Sequence, residues 1–169
     1  NDAYKATEKR DNLGIIFDYE SGSGQLKTET KITLHKPTEI SGIKLGIIGT
    51  GMHARRKLIP QLSKSKVDLI AACSKNGISA TKTAEDFNIS YTTTDAEKLI
   101  KDEDINTLLI STRHDSHASF VLEGLKNGMN LYVEKPLCMS LDELDEIKAS
   151  LKKENNSILF VGFNRRFSK

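Results

Sequence analysis

A glycine-rich turn between a short apolar segment and a helical pattern constrains the fold of this chain more than any other feature. The apolar segment IKLGII at residues 43–48 predicts a strand, and GTGMHA at residues 49–54 follows it directly. Gly49 permits a tight turn, Gly51 allows a pyrophosphate to approach the backbone, and Ala54 allows the helix to pack closely on the strand. Because a helix N-terminus offers free N–H groups and a partial positive charge, this pattern predicts a dinucleotide-binding βαβ unit.

Length and composition indicate a globular protein with one domain and a short additional segment. The chain has 169 residues, of which 37% are apolar and 28% are charged. Lys and Arg number 25 against 23 Asp and Glu, and this near balance gives no electrostatic basis for binding nucleic acid or an anionic membrane. We therefore expect neither partner, and no apolar run approaches the roughly 20 residues of a membrane span.

The first residues of the chain indicate whether it is a whole polypeptide, and its cysteines indicate the compartment in which it folds. The chain begins at Asn1 rather than at Met and carries no signal-peptide pattern, so we expect a piece of a longer polypeptide. Its two cysteines, Cys73 and Cys138, lie far apart in or beside apolar segments and form no metal-binding pattern. Such cysteine usage favours a reducing, cytoplasmic location.

Residues 1–42 are more polar than the rest of the chain and contain more turn-forming sequence. They are predicted to form a hairpin and a linker. Strand candidates at residues 13–17 and 28–34 flank the flexible sequence SGSG at residues 21–24. Two strands alone are marginally stable, so this hairpin needs a surface on which to pack. Residues 36–42 read as the linker into the main domain.

Residues 43–169 alternate short apolar runs with helical patterns, which predicts an α/β fold. Successive βαβ units with right-handed crossovers give a doubly wound parallel sheet in three αβα layers, the Rossmann arrangement. Ser140 and Glu143 form a capping box ahead of one helix, and Asp115 is expected to cap another. The strands are predicted at residues 43–48, 67–72, 89–92, 105–110, 130–133 and 158–162.

The end of the second predicted strand bears on the choice of cofactor. An acidic residue there would accept hydrogen bonds from the ribose 2′-hydroxyl of NAD, but the chain has Ser74, Lys75 and Asn76 instead. These side chains offer donors and one positive charge, which suits a 2′-phosphate. NADP is therefore slightly favoured over NAD, with an ordinary solvated surface lysine as the alternative interpretation of Lys75.

Two further loops follow the fourth and fifth predicted strands and converge on the same crevice, because ligands of open α/β sheets bind at the carboxyl ends of the strands. Residues 112–117 read TRHDSH, and Glu134, Lys135 and Pro136 follow the fifth strand. An ammonium near a cofactor can acquire a lowered pKa and handle protons, so Lys135 is a catalytic candidate. The alternative is a lysine paired with Glu134. His114 and His117 lack a third ligand, and no metal site is predicted.

Several motifs together resemble those of the glucose–fructose oxidoreductase and inositol dehydrogenase family. They are IIGTG at residues 47–51, IST at residues 110–112 with His117, EKP at residues 134–136 and GFNRRF at residues 162–167. The resemblance covers residues 43–168 and implies an NAD(P)-binding Rossmann domain followed by an α+β substrate domain. It further implies hydride transfer between nicotinamide and a secondary alcohol of a sugar or cyclitol.

The resemblance also implies roles for particular residues. Lys135 matches the family lysine that works near the nicotinamide, and Thr112 and His117 match the loop that lines the nicotinamide pocket. Arg113 and His114 replace the usual Pro-Asn, and Ser74 replaces an Asp that many members carry. Residues expected to contact the cofactor are Gly49, Thr50, Gly51, Met52, His53, Ser74, Lys75, Asn76, Ser111, Thr112, Arg113, His114, His117, Glu134, Lys135, Asn164 and Arg166.

The family's acid–base Asp and His come from the second domain, which has no counterpart here. We therefore expect the chain to bind cofactor without turnover, and to form oligomers only together with that domain. Residues 3–19 resemble the end of a zinc-type alcohol dehydrogenase module, which suggests a fusion. A non-catalytic dinucleotide sensor and a methyltransferase that binds S-adenosylmethionine are the alternative functions.

Overall fold

The computed structural model describes residues 30–35, 42–153 and 156–163. Several predictions fall outside these residues: the first strand of the hairpin, most of the linker, the zinc-type dehydrogenase resemblance, and the candidate cofactor contacts Asn164 and Arg166.

The described residues contain seven strands and five α-helices. The strands are β1 (Lys31–Thr33), β2 (Lys44–Ile48), β3 (Asp68–Cys73), β4 (Tyr91–Thr93), β5 (Thr107–Ile110), β6 (Asn130–Glu134) and β7 (Leu159–Gly162). The helices are α1 (Ile59–Leu62), α2 (Gly77–Phe87), α3 (Ala96–Ile100), α4 (His117–Lys126) and α5 (Leu141–Lys153). A π-helical turn, Ala54–Leu58, leads into α1, and a 3₁₀ turn, His114–Ser116, leads into α4.

The strands form one sheet in the order β1-β4-β3-β2-β5-β6-β7. Strands β2 to β7 run parallel, whereas β1 is antiparallel to β4. The chain therefore winds outward from β2 in one direction and then from β5 in the other. This arrangement confirms the predicted doubly wound Rossmann fold, and it places a crevice at the carboxyl ends of β2 and β5, where the winding reverses.

Alternating side chains of the central strands supply the two cores that hold the helices on the sheet. Leu109 packs with Ile59 of α1 and Ala84 of α2 on one face. Its neighbour Leu108 packs with Val121 of α4 on the other face. Because successive side chains of a strand point to opposite faces, both faces are apolar and both are covered by helices, which gives the three predicted layers.

The start of α5 confirms the predicted capping box. The Glu143 N–H donates to Ser140 Oγ at 3.2 Å, and the Glu143 carboxylate accepts from the N–H groups of Ser140 and Met139 at 3.2 and 2.7 Å. The prediction that Asp115 caps the helix that follows it, α4, is wrong. Asp115 lies inside the 3₁₀ turn, and Ser116, which precedes α4, makes no side-chain capping bond.

Replacement of Ser140 by alanine is expected to destabilise the domain by about 1 kcal/mol, since it removes the hydroxyl that accepts from the Glu143 N–H. Urea denaturation followed by circular dichroism measures the change. The control is Ser140→Thr, which keeps an oxygen at the same position and should cost only a few tenths of a kcal/mol. Equal losses for both variants would contradict the capping role.

Candidate functional site

Four loops meet at the carboxyl ends of the central strands, and backbone hydrogen bonds join three of them. The Gly49 N–H, after β2, donates to the Cys73 carbonyl at the end of β3 at 2.9 Å. The Ser111 N–H, after β5, donates to the Ile48 carbonyl of β2 at 2.9 Å. The loops that the sequence analysis identified are therefore neighbours at the carboxyl ends of the strands.

The two glycines of the turn after β2 occupy different environments. Gly49 has φ of +99°, and a Cβ placed on it would lie 2.4 Å from the Ser111 carbonyl oxygen. Only a residue without a side chain fits there, because both the conformation and the close backbone contact exclude a Cβ. Gly51 is exposed, and a Cβ on it would meet nothing within 4 Å. Gly49 therefore shapes the turn, whereas Gly51 leaves an open surface on which a phosphate can rest.

The side chain of Thr50 faces inward and connects the glycine turn to α2. Thr50 is only 3% exposed, and its Oγ1 lies 3.0 Å from Ser79 Oγ. Ser79 Oγ also donates to the Thr50 carbonyl at 3.1 Å. Sequence reasoning missed Ser79, and its only signal was a hydroxyl in the first turn of the helix after β3. Thr50 stabilises the turn through this contact.

The turn between β3 and α2, taken here as residues 74–77 with Gly77 as the first residue of α2, contains two hydrogen bonds of its own. Asn76 Oδ1 accepts from the Ile78 N–H at 3.1 Å and so caps α2. Ser74 Oγ accepts from the Asn76 N–H at 3.3 Å. Lys75 is exposed between them. The ammonium of Lys75, the Asn76 side-chain NH₂ and the Ser74 hydroxyl, which only accepts a bond within the turn, are side-chain donors that this turn can offer to a ligand.

A buried carboxylate connects the glycine turn with the end of β6. Glu134 is 8% exposed, and its Oε1 accepts from the Tyr132 hydroxyl at 3.2 Å and lies 3.6 Å from His53 Nε2. Burial, together with the charge and hydrogen bond of Glu134, raises the pKa of Tyr132 to about 12, so this hydroxyl remains a donor. Neither Tyr132 nor its contact was predicted. Beside His53, Met52 is 69% exposed at the surface.

His117 lies inside the fold. Its side chain is fully buried, with Nδ1 2.6 Å from the Pro136 carbonyl and Nε2 3.3 Å from the Thr112 carbonyl. Thr112 Oγ1 in turn lies 2.7 Å from Ser116 Oγ. Both ring nitrogens face backbone carbonyls, and the expected contact between His117 and a cofactor stays a prediction. His117 connects the loop after β5 to the turn after β6.

Lys135 lies exposed in the turn between β6 and α5. It does not pair with its neighbour, because the Glu134 carboxylate contacts Tyr132 and His53 instead. Arg113 and His114 are also exposed, on the loop after β5. The exposed side chains of Lys135 and Arg113 therefore offer positive charge to an anionic ligand.

Across residues 30–35, 42–153 and 156–163, no helix has the length and apolarity needed to cross a bilayer. The same part of the chain brings together no group of three or more His, Cys, Asp or Glu side chains that could hold a metal ion.

Comparison with known proteins identifies the family. Residues 43–163 match the family described as an oxidoreductase family with an NAD-binding Rossmann fold. The chain belongs to this family. The match begins at residue 43 and does not reach residues 3–19, so the fusion with a zinc-type dehydrogenase stays a prediction.

Two individual proteins are similar to this chain in sequence over about three quarters of its length. Oxidoreductase P35 of Formosa agariphila is 30% identical over 74% of this chain and 39% of its own length. An NAD-dependent scyllo-inositol 2-dehydrogenase of Bacillus subtilis is 28% identical over 73% of this chain and 35% of its own length. The chain thus spans less than two fifths of these relatives.

Solved structures confirm the fold. The myo-inositol dehydrogenase of Lactobacillus casei, in complex with NAD(H) and myo-inositol, matches with a TM-score of 0.70 and 25% identity, over 75% of this chain and 38% of its own. A 3-ketoreductase of Actinomadura kijaniata in complex with NADP matches with a TM-score of 0.67 and 21% identity, over 73% of this chain and 39% of its own. This chain therefore has the NAD-binding Rossmann fold of the oxidoreductase family that it matches, and the two solved structures of similar fold hold NAD(H) in one case and NADP in the other.

Proposed function

We propose that the glycine turn binds the pyrophosphate of a nicotinamide dinucleotide, and that the whole protein transfers hydride between nicotinamide and a secondary alcohol of a sugar or cyclitol. The observation that carries the binding proposal is the open surface at Gly51, at the point where the winding of the sheet reverses. The named substrates of the inositol dehydrogenase relatives support the substrate class.

Lys135 is proposed as the catalytic residue that handles a proton near the nicotinamide. It lies exposed after β6, at the same edge as the glycine turn, and is not neutralised by Glu134. The neighbouring loop after β5 contains Thr112, Arg113 and His114, which are proposed to face the same cofactor. His117 would act by positioning the turn that carries Lys135.

The substrate-binding groups and the acid–base partners are proposed to come from a second domain. The chain alone would then bind cofactor without turning substrate over, because catalysis needs the reacting groups held together in one site. Assembly into oligomers is likewise assigned to that second domain.

Titration of the chain with NADH and NADPH, followed by calorimetry, tests the binding proposal. Saturable binding of either dinucleotide with one site per chain is expected, and S-adenosylmethionine should not compete. Absence of dinucleotide binding, or preferential binding of S-adenosylmethionine, would contradict it. In the full-length protein, dinucleotide binding without reduction by any sugar or cyclitol would instead favour a sensor.

NADP is proposed as the preferred cofactor, because residues 74–77 carry no carboxylate and expose Lys75. Replacing Lys75 by alanine is expected to weaken NADPH binding about threefold to fivefold, the effect of a solvent-exposed ion pair, and to leave NADH binding unchanged. Lys64→Ala, an exposed lysine in the chain segment after α1, is the matched control. A clear preference of the unmodified chain for NADH would overturn this choice.

A reducing, cytoplasmic location is also proposed. Both Cys73 and Cys138 are unpaired, and burial together with the Asp95 charge raises the pKa of Cys73 to about 11. Cys73 therefore remains a protonated thiol within the core. This is the behaviour of a cysteine that serves only as a small apolar side chain.

A further inference from the structure

Residues 30–35, here called the docking strand, occupy the outer edge of the sheet beside β4. Strand β1 pairs with β4 in antiparallel register, with Lys31 opposite Thr93 and Thr33 opposite Tyr91. At one end of this pairing the N–H groups of Leu34 and His35 donate to the Ser90 carbonyl at 2.8 and 3.0 Å. The docking strand precedes the family match, which begins at residue 43, and still forms part of the sheet.

A cluster of three side chains, here called the latch, fixes the docking strand to the domain. The Lys31 ammonium lies 3.8 Å from the centre of the Tyr91 ring and 3.5 Å from Asp102 Oδ2. The Tyr91 hydroxyl donates to the same Asp102 oxygen at 2.5 Å. Tyr91 is only 6% exposed, so the cation lies over a ring that is fixed by the core.

The opposite charges of Lys31 and Asp102 in the latch attract one another. Burial raises the pKa of the Asp102 carboxyl, but the hydrogen bonds from Tyr91 and from the Asp104 N–H, together with the Lys31 charge, outweigh that effect and lower it overall. Asp102 is therefore ionised near neutral pH and attracts Lys31. The latch joins the docking strand to the segment after α3.

The other end of the docking strand lies next to the turn between β3 and α2. The Thr94 N–H donates to the Thr30 carbonyl at 3.2 Å, and Lys98 Nζ donates to Thr30 Oγ1 at 3.0 Å. The preceding residue in β4, Thr93, accepts from the Ser74 N–H at 3.3 Å. The methyl group of Thr94 lies 3.4 Å from the position of a Cβ on Gly77. One short strand, β4, thus separates the docking strand from residues 74–77.

We propose that the docking strand positions residues 74–77, so that the segment before the dinucleotide-binding domain affects how tightly the domain holds the adenosine ribose of its cofactor. Without the docking strand, β4 would be a three-residue edge strand with unpaired backbone groups, and the turn bonded to it would lose support. The effect on affinity rests on the proposed cofactor function, whereas the effect on the turn does not.

The test compares two lysine variants of the whole chain. Lys31→Met removes the cation of the latch, and Lys101→Met removes an exposed lysine that pairs with Glu97 and not with a residue of the latch. Hydrogen exchange is measured at the N–H groups of Leu34 and Ser74, together with the dissociation constant for NADPH. A double variant, Lys31→Met with Asp102→Asn, removes both charges of the latch.

Lys31→Met, and more strongly the double variant, are expected to speed exchange at both amides and to weaken NADPH binding about threefold to tenfold, while Lys101→Met changes neither. Unchanged exchange at Leu34 in the double variant would overturn the proposal, as would faster exchange at Leu34 with Ser74 and NADPH binding unaffected. If the unmodified chain binds no dinucleotide, the cofactor proposal fails, and exchange at Ser74 alone then decides whether the docking strand positions the turn.

Discussion

Replacing Gly51 by alanine is expected to weaken NAD(P) binding about tenfold to a hundredfold, a loss that corresponds to the 1–3 kcal/mol cost of overpacking a close contact. An alanine Cβ at this position would meet nothing within 4 Å in the protein itself, but it would project from the surface on which the pyrophosphate is proposed to rest. The stability of the domain should therefore change by less than about 0.5 kcal/mol. Calorimetry gives the affinity, and urea denaturation gives the stability.

Gly49→Ala is the matched control, since it adds the same methyl group two residues earlier. There the Cβ would lie 2.4 Å from the Ser111 carbonyl oxygen, in a backbone conformation with φ of +99°. We expect this variant to lose about 2–5 kcal/mol of folding stability, from backbone strain and overpacking together. If Gly51→Ala destabilises the fold as much as Gly49→Ala, or binds dinucleotide as well as the unmodified chain, the distinction between the two glycines is wrong.

Features that depend on local sequence could be predicted. The predicted strand at residues 105–110 overlaps β5, and the capping box of Ser140 and Glu143 forms as expected. Such features arise because backbone conformation, hydrophobic periodicity and capping bonds involve residues within a few positions of one another. The glycine turn belongs to the same class, because a strand, a tight turn and a helix follow one another without interruption.

Features that depend on distant segments could not be predicted. The contact of Ser79 with Thr50 joins residues 29 positions apart, and that of Lys31 with Asp102 joins residues 71 positions apart. His117 illustrates the consequence for the site. The family resemblance implies that the loop carrying His117 lines the nicotinamide pocket, but only the structure shows that its buried ring contacts the Pro136 carbonyl at 2.6 Å, 19 positions away. Sequence patterns indicate which loops meet, whereas the partners of each side chain follow from packing.

Lys135→Ala in the full-length protein is expected to lower kcat about a hundredfold to ten-thousandfold, the range in which a single acid–base group contributes. Lys135 lies exposed in the turn after β6, while the neighbouring carboxylate of Glu134 contacts Tyr132 and His53. Within the part of the chain that the structure describes, the Lys135 side chain makes no hydrogen bond or ion pair, so its loss should leave the fold and the glycine turn intact. Affinity for the dinucleotide should change much less than kcat, and the stability of the protein should stay the same.

Lys135→Arg separates proton transfer from charge. Arginine keeps a positive charge at this position but does not give up its proton in proteins, so the variant should bind cofactor as the unmodified protein does and still turn over slowly. Lys126→Ala, at the exposed end of α4, controls for loss of a surface cation. Stopped-flow measurement of nicotinamide reduction gives the rate of hydride transfer for each variant. Because a purely electrostatic role would be fulfilled by arginine, full activity of Lys135→Arg would assign this residue to cofactor binding instead of proton transfer.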